Sequence, residues 1–257
     1  MDPSLARDVE EARALLAEAR RIVVVTGAGI SAESGVPTFR GPEGLWRNHR
    51  PEELATPQAF RRDPRLVWAW YGWRRSLVAG CSPNPGHRAL ARLALSRERR
   101  VTLVTQNVDH LHEMAAEEAG ASAPPPPILK LHGSLFVDRC TRCRRRSDGV
   151  ATVDVTSIDS LPRCPACGGL LRPDVVWFGE ALDATILQTA FQEAAAADVC
   201  LAVGTSGVVH PAASVPLATA RAGGLFIEVN PDESALSPVA TVVLRGPSGT
   251  VLPQLLA

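Results

Sequence analysis

The sequence predicts a doubly wound α/β fold, in which a parallel, Rossmann-like sheet is covered by helices on both faces and carries a smaller inserted lobe. Three observations lead to this prediction. Short runs of apolar, β-branched residues recur along the chain, helical patterns precede them, and two segments rich in Pro, Arg, Trp or Cys interrupt the alternation. Uninterrupted apolar strands that alternate with helices are typical of parallel sheets buried on both faces.

The regular elements begin near the first residues. Residues 5–20 place apolar side chains at helical spacing, and residues 22–26 form a β-branched run that Gly27 ends. Further strands are predicted at 101–105, 128–131, 199–203 and 225–229. Further helices are predicted at 86–97, 184–197 and 211–222.

Two insertions are predicted to pack together as the smaller lobe. Residues 36–82 are interpreted as a loop and helices without a strand, and residues 138–174 carry paired cysteines. We expect a Rossmann-like domain made of residues 1–37, 83–137 and 175–257. The small domain would combine a helical insertion, 38–82, with a cysteine-bearing zinc module, 138–174.

The composition excludes several classes of protein. The chain has 257 residues, 46% of them apolar, and 27 basic against 27 acidic residues give a net charge of zero. A neutral chain lacks the field that would gather nucleic acid or an anionic membrane, so neither is expected as a partner. Residues 1–21 mix acids with arginines, and no apolar run approaches the ~18 residues of a membrane helix. We therefore expect a cytoplasmic protein that is a monomer.

Four of the six cysteines predict a structural zinc site. They form two Cys-x-x-Cys pairs separated by 20 residues, Cys140 with Cys143 and Cys164 with Cys167. This spacing is typical of tetrahedral four-thiolate zinc, which leaves no coordination position open for catalysis. A redox role is the alternative. The other two cysteines, Cys81 and Cys200, are interpreted as buried small residues.

A glycine-rich turn follows the first strand. The stretch Gly27-Ala28-Gly29-Ile30-Ser31-Ala32 fits the G-x-G-x-x-G/A pattern, in which the missing side chains let the backbone approach a pyrophosphate. The pattern alone is weak, and a turn without a ligand is the alternative. A dehydrogenase would carry an acidic residue about 20 positions later for the ribose, and residues 46–50 offer none.

Polar clusters follow three other strands, at Gln106 to Asp109, at His132-Gly133 and at Gly204 to Ser206. Ligands of open α/β sheets bind at the carboxyl ends of the strands, so these clusters are expected to converge with the glycine turn on one crevice. A lone histidine is more often structural than catalytic, but these neighbours favour a functional His132. The remaining histidines are interpreted as caps or surface residues: His49, His87, His110, His112 and His210.

Six spaced motifs lie in order between residues 22 and 250. They are Gly27-Ala28-Gly29-Ile30-Ser31, Gly35-Val36-Pro37-Thr38-Phe39-Arg40, Gln106-Asn107-Val108-Asp109-His110-Leu111-His112, His132-Gly133, Val176-Trp177-Phe178-Gly179-Glu180 and Gly204-Thr205-Ser206. Together with the cysteine quartet, they resemble the sirtuin family of NAD-dependent protein deacylases. Thr38 departs from the pattern, since many sirtuins carry aspartate there, and the sequence looks like the branch that includes desuccinylases.

The resemblance implies an NAD site in the crevice. The pyrophosphate would lie against Gly27, Ala28, Gly29, Ile30 and Ser31 and against Gly204, Thr205 and Ser206, with the adenosine near Asn230, Pro231, Asp232 and Ser248. Phe39 and Arg40 would lie on a mobile cofactor loop, and Asn107 and Asp109 would hold the nicotinamide carboxamide. The implied set also includes Glu33, Thr38, Trp46, Gln106 and Val108. A simple helix cap is the alternative role for Asp109.

The reaction implied by the resemblance transfers an acyl group from lysine to ADP-ribose. The amide oxygen of acyl-lysine attacks the ribose carbon that bears nicotinamide, and His132 then takes a proton from a ribose hydroxyl. A histidine with an unperturbed pKa of about 6.5 is suited to act as a base near neutrality. The ribose oxygen would then attack the carbon of the acyl group, and water would complete the release of free lysine, nicotinamide and O-acyl-ADP-ribose.

The resemblance also implies contacts to an acylated protein or peptide substrate. An extended peptide would pair with the main chain of Val175, Val176, Trp177, Phe178 and Gly179, the alternative being an edge strand without a partner. Tyr71 and Arg74 lie three residues apart on one helix face and match the Tyr-x-x-Arg of desuccinylases and demalonylases, where they would bind the acyl carboxylate. An amphipathic helix with solvated arginines is the alternative.

Three other functions fit parts of the sequence. A dehydrogenase is favoured only by the glycine turn. A zinc-ribbon DNA-binding module is favoured only by the cysteines and by the arginines at 142 and 144–146. A sirtuin that acts mainly as a deacetylase or as a protein ADP-ribosyltransferase would not require Tyr71 and Arg74.

Overall fold

A computed structural model of the chain describes residues 3–38, 51–96, 98–120 and 128–257. Its strands are β1 (Arg21–Thr26), β2 (Arg100–Thr105), β3 (Ile128–Lys130), β4 (Gly133–Cys140), β5 (Arg146–Asp148), β6 (Leu171–Val175), β7 (Val199–Val203), β8 (Leu225–Val229) and β9 (Val242–Leu244). Its helices are α1 (Pro3–Glu18), α2 (Gly29–Ala32), α3 (Pro51–Leu54), α4 (Pro57–Arg62), α5 (Pro64–Ala79), α6 (Pro85–Leu95), α7 (Leu111–Glu118), α8 (Ala184–Ala195), α9 (Val215–Arg221) and α10 (Ser248–Leu255). None of the helices in these ranges is long and apolar enough to cross a membrane.

The large sheet is parallel throughout. Over the described residues it has six strands in the order β3-β2-β1-β7-β8-β9. The predicted strands are confirmed, and β9 is an additional short strand at the edge of the sheet. The strand order reverses between β1 and β7, which is where open α/β sheets bind their ligands.

Alternate side chains of each strand pack against helices on opposite faces of this sheet. Ile22 and Val24 of β1 belong to a core shared with α1, α6 and α10, whereas Val23 and Val25 belong to a core shared with α8 and α9. All four side chains are buried. Burial on both faces is the physical reason for the uninterrupted apolar run in the sequence.

Local signals determine where several helices begin. Thr56, Asp63 and Asn84 precede α4, α5 and α6, and their side-chain oxygens accept hydrogen bonds from backbone N–H groups of the first helical turn. Proline occupies the first helical position in each case, where its missing N–H costs nothing. The predicted helix at 211–222 is observed as a 3₁₀ turn, Ala212–Ser214, followed by α9.

The smaller lobe joins the helical insertion to the cysteine module. Its antiparallel sheet has the order β5-β4-β6. Trp68 of α5 donates from Nε1 to the carbonyl oxygen of Leu171 in β6, at 3.1 Å. Arg75 of α5 contacts the buried carboxylate of Asp138 in β4, at 2.5 Å. The helices and the module therefore share one core, as the fold prediction requires.

The antiparallel sheet itself and α10 are not predicted from the sequence, and α7 is indicated only through the alternative role of Asp109 as a helix cap. A register shift between Ser134 and Asp138 interrupts the pairing of β4 with β6, so β4 lacks the strict alternation that identifies a half-buried strand. β4 crosses the predicted boundary between residues 137 and 138. The division into two domains stays a prediction.

Candidate active site

The candidate site lies where four strands of the large sheet end together. Thr26 of β1 is in register with Thr105 of β2 and Val203 of β7, and Lys130 of β3 is in register with Thr105. The loops that follow these strands therefore leave the sheet at one level, and His132 lies in the loop after β3.

Two glycine turns contact each other through their backbones. The N–H of Gly29 donates to the carbonyl oxygen of Gly204, at 2.9 Å. A Cβ atom on Gly27 or Gly29 would lie 2.7 Å from backbone atoms of Gly204. Gly204 has a φ of +59°, a conformation that other residues adopt only at a cost. Glycine is therefore required at these positions for the contact between the two turns, whether or not a ligand also approaches them.

Ser31, Asn107 and Asp109 form a buried polar cluster beside these turns. The Oγ of Ser31 donates to Asp109 Oδ2 at 3.0 Å, and Nδ2 of Asn107 donates to Ser31 Oγ at 3.2 Å and to the Gly27 carbonyl oxygen at 3.1 Å. Asp109 Oδ1 also accepts from the N–H of Leu111, at 3.2 Å. Asp109 therefore belongs to the cluster and to the start of α7 at once. Such a set of amide, hydroxyl and carboxylate groups fits the polar parts of a nucleotide cofactor.

Two buried histidines lie beside this cluster. For His112, burial contradicts the predicted role as a cap or surface residue. His112 is buried, with Nε2 3.0 Å from Thr26 Oγ1, so it is neither a cap nor a surface residue. His87 belongs to the capping box of α6 as expected, but it too is buried, with Nε2 3.4 Å from Ser31 Oγ. Burial lowers the pKa of His87 to about 4 and the pKa of His112 well below its ordinary value. Both imidazoles are neutral hydrogen-bonding groups.

Thr26 and Thr105 border the same cluster, although the sequence did not identify them as site residues. Their hydroxyl groups are hydrogen-bonded to each other at 2.8 Å, and Thr105 Oγ1 accepts from the N–H of Asn107 at 3.0 Å. Each is the last residue of an apolar strand. A single polar residue at that position is the sequence signal that could have identified them.

His132 is held by one hydrogen bond that determines its tautomer. Its Nδ1 lies 2.9 Å from the carbonyl oxygen of Gln106. Because a carbonyl oxygen can only accept, Nδ1 carries the proton and Nε2 is left with a lone pair. Burial lowers the pKa of His132, and the backbone hydrogen bond to Gln106 opposes this effect. At neutral pH the imidazole is therefore uncharged and able to take a proton at Nε2.

Several of the residues implied in NAD binding connect neighbouring loops. Gln106 Nε2 donates to Thr205 Oγ1, and Asn230 Nδ2 donates to the Thr205 carbonyl oxygen, both at 2.9 Å. Glu33 accepts from the N–H of Gly249 at 2.6 Å and from Ser248 Oγ at 3.3 Å, so it joins the glycine turn to the start of α10.

The other residues that the resemblance implies in NAD binding differ in burial and in their hydrogen bonds. Ile30 and Val108 are buried apolar residues next to the polar cluster. Ser206 and Asp232 accept hydrogen bonds through their carbonyl oxygens, from Ala235 and Arg245. Ala28, Thr38 and Pro231 are within the described residues, whereas Phe39, Arg40 and Trp46 lie outside them.

Tyr71 and Arg74 are buried on α5, with exposed fractions of 1% and 4%. Trp177 Nε1 donates to the hydroxyl oxygen of Tyr71, at 2.8 Å. The Arg74 guanidinium carbon lies 5.4 Å from the ring centre of Trp70. Burial raises the pKa of Tyr71 and lowers the pKa of Arg74. A phenol and a guanidinium are thus held together away from water, next to the segment predicted to contact the peptide.

That segment, residues 175–179, connects the two lobes through its main chain. Val175 ends β6 and pairs with Gly133. The N–H of Val176 donates to the carbonyl oxygen of His132, and the N–H of Phe178 donates to the carbonyl oxygen of Ala55, both at 2.9 Å. A peptide that pairs with this segment must use its other main-chain groups.

Glu180 and Arg172 fix the conformation of the segment. Arg172 donates to both carboxylate oxygens of Glu180, at 2.6 and 2.8 Å, and its guanidinium carbon lies 3.3 Å from the ring centre of Trp177. Glu180 also accepts from the N–H of Trp177, at 2.9 Å. Burial acts to raise the pKa of Glu180, but the bonds from Arg172 and Trp177 outweigh it and lower that pKa. The sequence analysis assigned Glu180 no role, although it belongs to one of the motifs.

The four paired cysteines form one cluster with the geometry of a zinc site. The Sγ atoms of Cys140, Cys143, Cys164 and Cys167 lie within 4.8 Å of one another. Zinc with four Zn–S bonds of ~2.3 Å needs sulfur separations of ~3.8 Å, and two of the sulfur pairs are 3.5 and 3.6 Å apart. The N–H groups of Arg142 and Cys143 lie 3.3 and 3.4 Å from Cys140 Sγ, which stabilises a thiolate. The donor set fits a structural zinc ion.

The remaining cysteines lie elsewhere. Cys200 is buried in β7, as expected, whereas Cys81 follows α5 and is partly exposed, which corrects the prediction of burial.

Comparison with known proteins agrees with this geometry. The model of the Sir2 family matches residues 27–211. The NAD-dependent protein deacylase of Pyrococcus furiosus is 50% identical over 250 residues, which cover 95% of both chains. The NAD-dependent protein deacylase 1 of Pseudomonas aeruginosa is 49% identical over 248 residues, which cover 94% of this chain and 95% of the relative.

Solved structures show the same architecture. A Sir2 homologue in complex with NAD superimposes with a TM-score of 0.85 and is 48% identical, covering 96% of this chain and 92% of that one. A Sir2 protein bound to a p53 peptide and NAD+ superimposes with a TM-score of 0.82 and is 30% identical, covering 96% of this chain and 97% of that one.

Proposed function

The chain belongs to the Sir2 family of NAD-dependent protein deacylases, and we propose that it acts preferentially on lysines that carry an acidic acyl group, succinyl or malonyl, with acetyl also accepted. The observation that carries the proposal is the pair of buried side chains on α5, Tyr71 and Arg74. An acetyl group would offer a buried guanidinium no charged partner, whereas a succinyl or malonyl carboxylate would accept from it in a bidentate manner.

The polar cluster and the glycine turns would hold NAD. Ser31, Asn107 and Asp109 offer hydroxyl, amide and carboxylate groups whose mutual hydrogen bonds already fix their positions. Bound NAD would supply a ribose carbon that releases nicotinamide and a ribose hydroxyl that takes up the acyl group, and one water would complete the release of lysine and O-acyl-ADP-ribose. The residues of this chain would orient the two reactants.

His132 would act as the proton acceptor of the reaction. Its Nδ1–H is engaged by the Gln106 carbonyl oxygen, so the free lone pair is on Nε2, and burial keeps the ring neutral at pH 7. A neutral imidazole in fixed orientation is suited to take a proton from a ribose hydroxyl.

The peptide would lie along residues 175–179, and the four cysteines would hold a structural zinc ion. Val176 and Phe178 already donate to opposite sides of the cleft, to His132 and to Ala55, which places the segment between the catalytic histidine and the helical insertion. The zinc has no open position and takes no part in the chemistry. We also expect the enzyme to act as a cytoplasmic monomer.

The decisive experiment is an NAD-dependent assay on one peptide sequence bearing acetyl-, malonyl- or succinyl-lysine in parallel. Released nicotinamide and the deacylated peptide are measured by mass spectrometry. We expect kcat/KM to be highest for the malonyl or succinyl peptide. A higher value for acetyl-lysine would identify a deacetylase and contradict the proposed acyl preference. Transfer of ADP-ribose to protein without deacylation would identify an ADP-ribosyltransferase instead.

A further inference from the structure

A cationic cavity lies against the segment predicted to pair with the peptide. Its volume is about 250 Å³, and it is lined by Arg139, Arg144, Val176, Glu180 and Ala181. Val176 is the second residue of the segment 175–179, and Glu180 directly follows the segment. A peptide main chain beside this segment would therefore pass next to the cavity.

The carboxylates around the cavity are outnumbered by arginines. Asp174 contacts Arg139 at 3.2 Å and Arg146 at 2.6 Å. Glu180 contacts Arg139 at 3.7 Å and Arg172 at 2.6 Å. These three arginines thus share two carboxylates.

Arg144 adds a further positive charge. Its side chain is exposed, and among the described parts of the chain no carboxylate pairs with it. With Arg144, four arginines lie around the cavity against two carboxylates, which leaves an excess of positive charge.

The backbone of Arg144 belongs to the turn that follows Cys143. Its φ is +65°, in the left-handed region where glycine would incur no cost. The N–H of Arg144 donates to the carbonyl oxygen of Cys140 at 3.1 Å, so the turn formed by the first cysteine pair holds this conformation and fixes where the side chain starts.

We propose that the cavity lined by Arg139 and Arg144 binds an acidic side chain of the substrate, so that the enzyme selects acyl-lysines with Asp or Glu close by in the peptide. The proposal rests on the proposed function, because it requires the peptide to lie along residues 175–179. An extended chain advances by about 3.3 Å per residue, so a side chain one to three positions from the acyl-lysine is within reach of the cavity. A guanidinium binds a carboxylate in a planar, two-pronged geometry that an amide cannot match.

The test uses pairs of acetyl-lysine peptides that differ in one flanking residue. Asp or Glu is placed at each position from three before to three after the acetyl-lysine, and the matched peptide carries Asn or Gln there. We expect kcat/KM to be about two- to fivefold higher for the acidic peptide at one or two positions, mainly through KM, as for a partly exposed ion pair. Raising the salt concentration should reduce this ratio, because exposed charges are screened.

Two variants assign the effect to the cavity. Arg144→Gln should bring the acidic peptide close to the level of its amide partner, and Arg144→Glu should favour a peptide with Lys at the same position. Arg92→Gln removes an exposed arginine on α6 and serves as the matched control, for which the acidic preference should persist. Circular dichroism and bound zinc show that each variant is folded.

Binding of the same labelled peptides, measured by fluorescence anisotropy, separates this proposal from the proposed function. Turnover or binding without any acidic preference, or a preference that Arg144→Gln leaves unchanged, overturns the cavity proposal alone. Absence of both turnover and binding overturns both proposals. Binding of a DNA duplex at physiological salt that depends on Arg144, without discrimination between the peptides, would show a polyanion surface and also overturn the proposal.

Discussion

The proposed role of His132 depends on the hydrogen bond that its side chain makes to Gln106. Because Nδ1 is engaged by the Gln106 carbonyl oxygen, the ring presents Nε2 as a base. A general base contributes about 10² to 10⁴ in rate, and we expect the histidine to contribute little to cofactor affinity. The same side chain in solution would be free to adopt either tautomer, so its position after β3 matters as much as its identity.

We therefore expect His132→Ala to reduce kcat/KM for deacylation to below a few per cent of the wild-type value while NAD affinity changes by less than about tenfold. Since burial lowers the pKa of His132, the acidic limb of the wild-type pH profile should have its midpoint below about 6.5. Initial rates and calorimetric titration with NAD measure the two effects. His210→Ala, at an exposed histidine, is the control. Turnover of His132→Ala near the wild-type level would exclude this histidine as the base.

Arg74 is expected to discriminate between acyl groups. Replacing it by Met removes a charge-assisted interaction of roughly 1.5 to 3 kcal/mol and leaves a succinyl carboxylate unpaired. Desuccinylation should fall by about one to two orders of magnitude in kcat/KM, because each 1.4 kcal/mol is roughly tenfold. Deacetylation should stay nearly constant or rise.

The ratio of the two activities is the quantity to measure. Tyr71→Phe should shift this ratio in the same direction but less, since it deletes a hydrogen bond and no charge. Equal losses of both activities in Arg74→Met would indicate that the guanidinium supports the fold, and the acidic-acyl preference would then be wrong.

We expect the end of the cysteine module that carries β5 to depend on a bound metal. β5 is three residues long and fully exposed, so little apolar surface stabilises this end of the lobe. A four-thiolate zinc site contributes folding free energy directly. The metal would therefore fix the two Cys-x-x-Cys turns relative to β4 and β6.

We expect about one zinc ion per purified chain, and loss of zinc together with loss of folded protein in Cys164→Ser or after chelation. Elemental analysis and thermal unfolding measure these outcomes. Cys81→Ser, outside the quartet, is the control and should retain the metal. A folded, metal-free and active Cys164→Ser variant would contradict the structural assignment.

The buried pair of Arg75 and Asp138 couples α5 to β4. The Arg75 side chain is 4% exposed and the Asp138 side chain is not exposed at all. Arg75 also donates from Nε to the Leu135 carbonyl oxygen, at 2.7 Å, and Asp138 accepts from the N–H of Val150, at 2.9 Å. The two buried charges compensate each other. Removal of one charge therefore leaves the other buried without a partner charge.

Asp138→Asn should therefore lower the free energy of unfolding by about 3 to 5 kcal/mol. Glu118→Gln removes one charge from the exposed pair of Arg88 and Glu118 and should cost less than about 1 kcal/mol. Urea unfolding of both variants measures the difference. Similar losses for the two variants would show that the buried pair does not couple the helix to the sheet.

The stability of the folded chain should depend on pH through its buried histidines. In the folded state the pKa of His87 is lowered to about 4 by burial and by Arg88, and that of His112 is lowered by burial, His87 and Lys130. In the unfolded state both return to about 6.5. The unfolded chain then binds more protons below pH 6.5, so stability is complete above that value and is lost as the pH falls toward the folded pKa values.

Between pH 7.5 and 5, His87 alone should account for about 2 kcal/mol of lost unfolding free energy, and His112 adds a loss in the same direction. Urea unfolding at each pH measures the total. His87→Gln should reduce this pH dependence, and His210→Gln, at an exposed position, should not. An equal pH dependence in all three proteins would show that the buried histidines take up no proton on unfolding.

Local sequence patterns were sufficient for the features that depend on spacing along the chain. Apolar runs predicted five strands of the parallel sheet, β1, β2, β3, β7 and β8. The two Cys-x-x-Cys pairs predicted the cysteine cluster, and the spaced motifs indicated the family. Polar residues just after those strands predicted where a site would form, because parallel strands bring their carboxyl ends to one edge. These features require only the periodicity of strands and helices and the right-handed way in which they connect.

Contacts between residues distant in sequence required the folded structure. Trp177 meets Tyr71 across 106 positions of the chain, and the turn at Gly29 meets Gly204. The burial of His112 follows from the packing of α7 against α6, and its residue type alone favours the surface. Periodicity determines which face of an element is apolar, but loop paths and packing determine which elements meet. The cationic cavity beside Val176 likewise could not be identified from the sequence, because it forms only when β4 and β6 pair in antiparallel orientation.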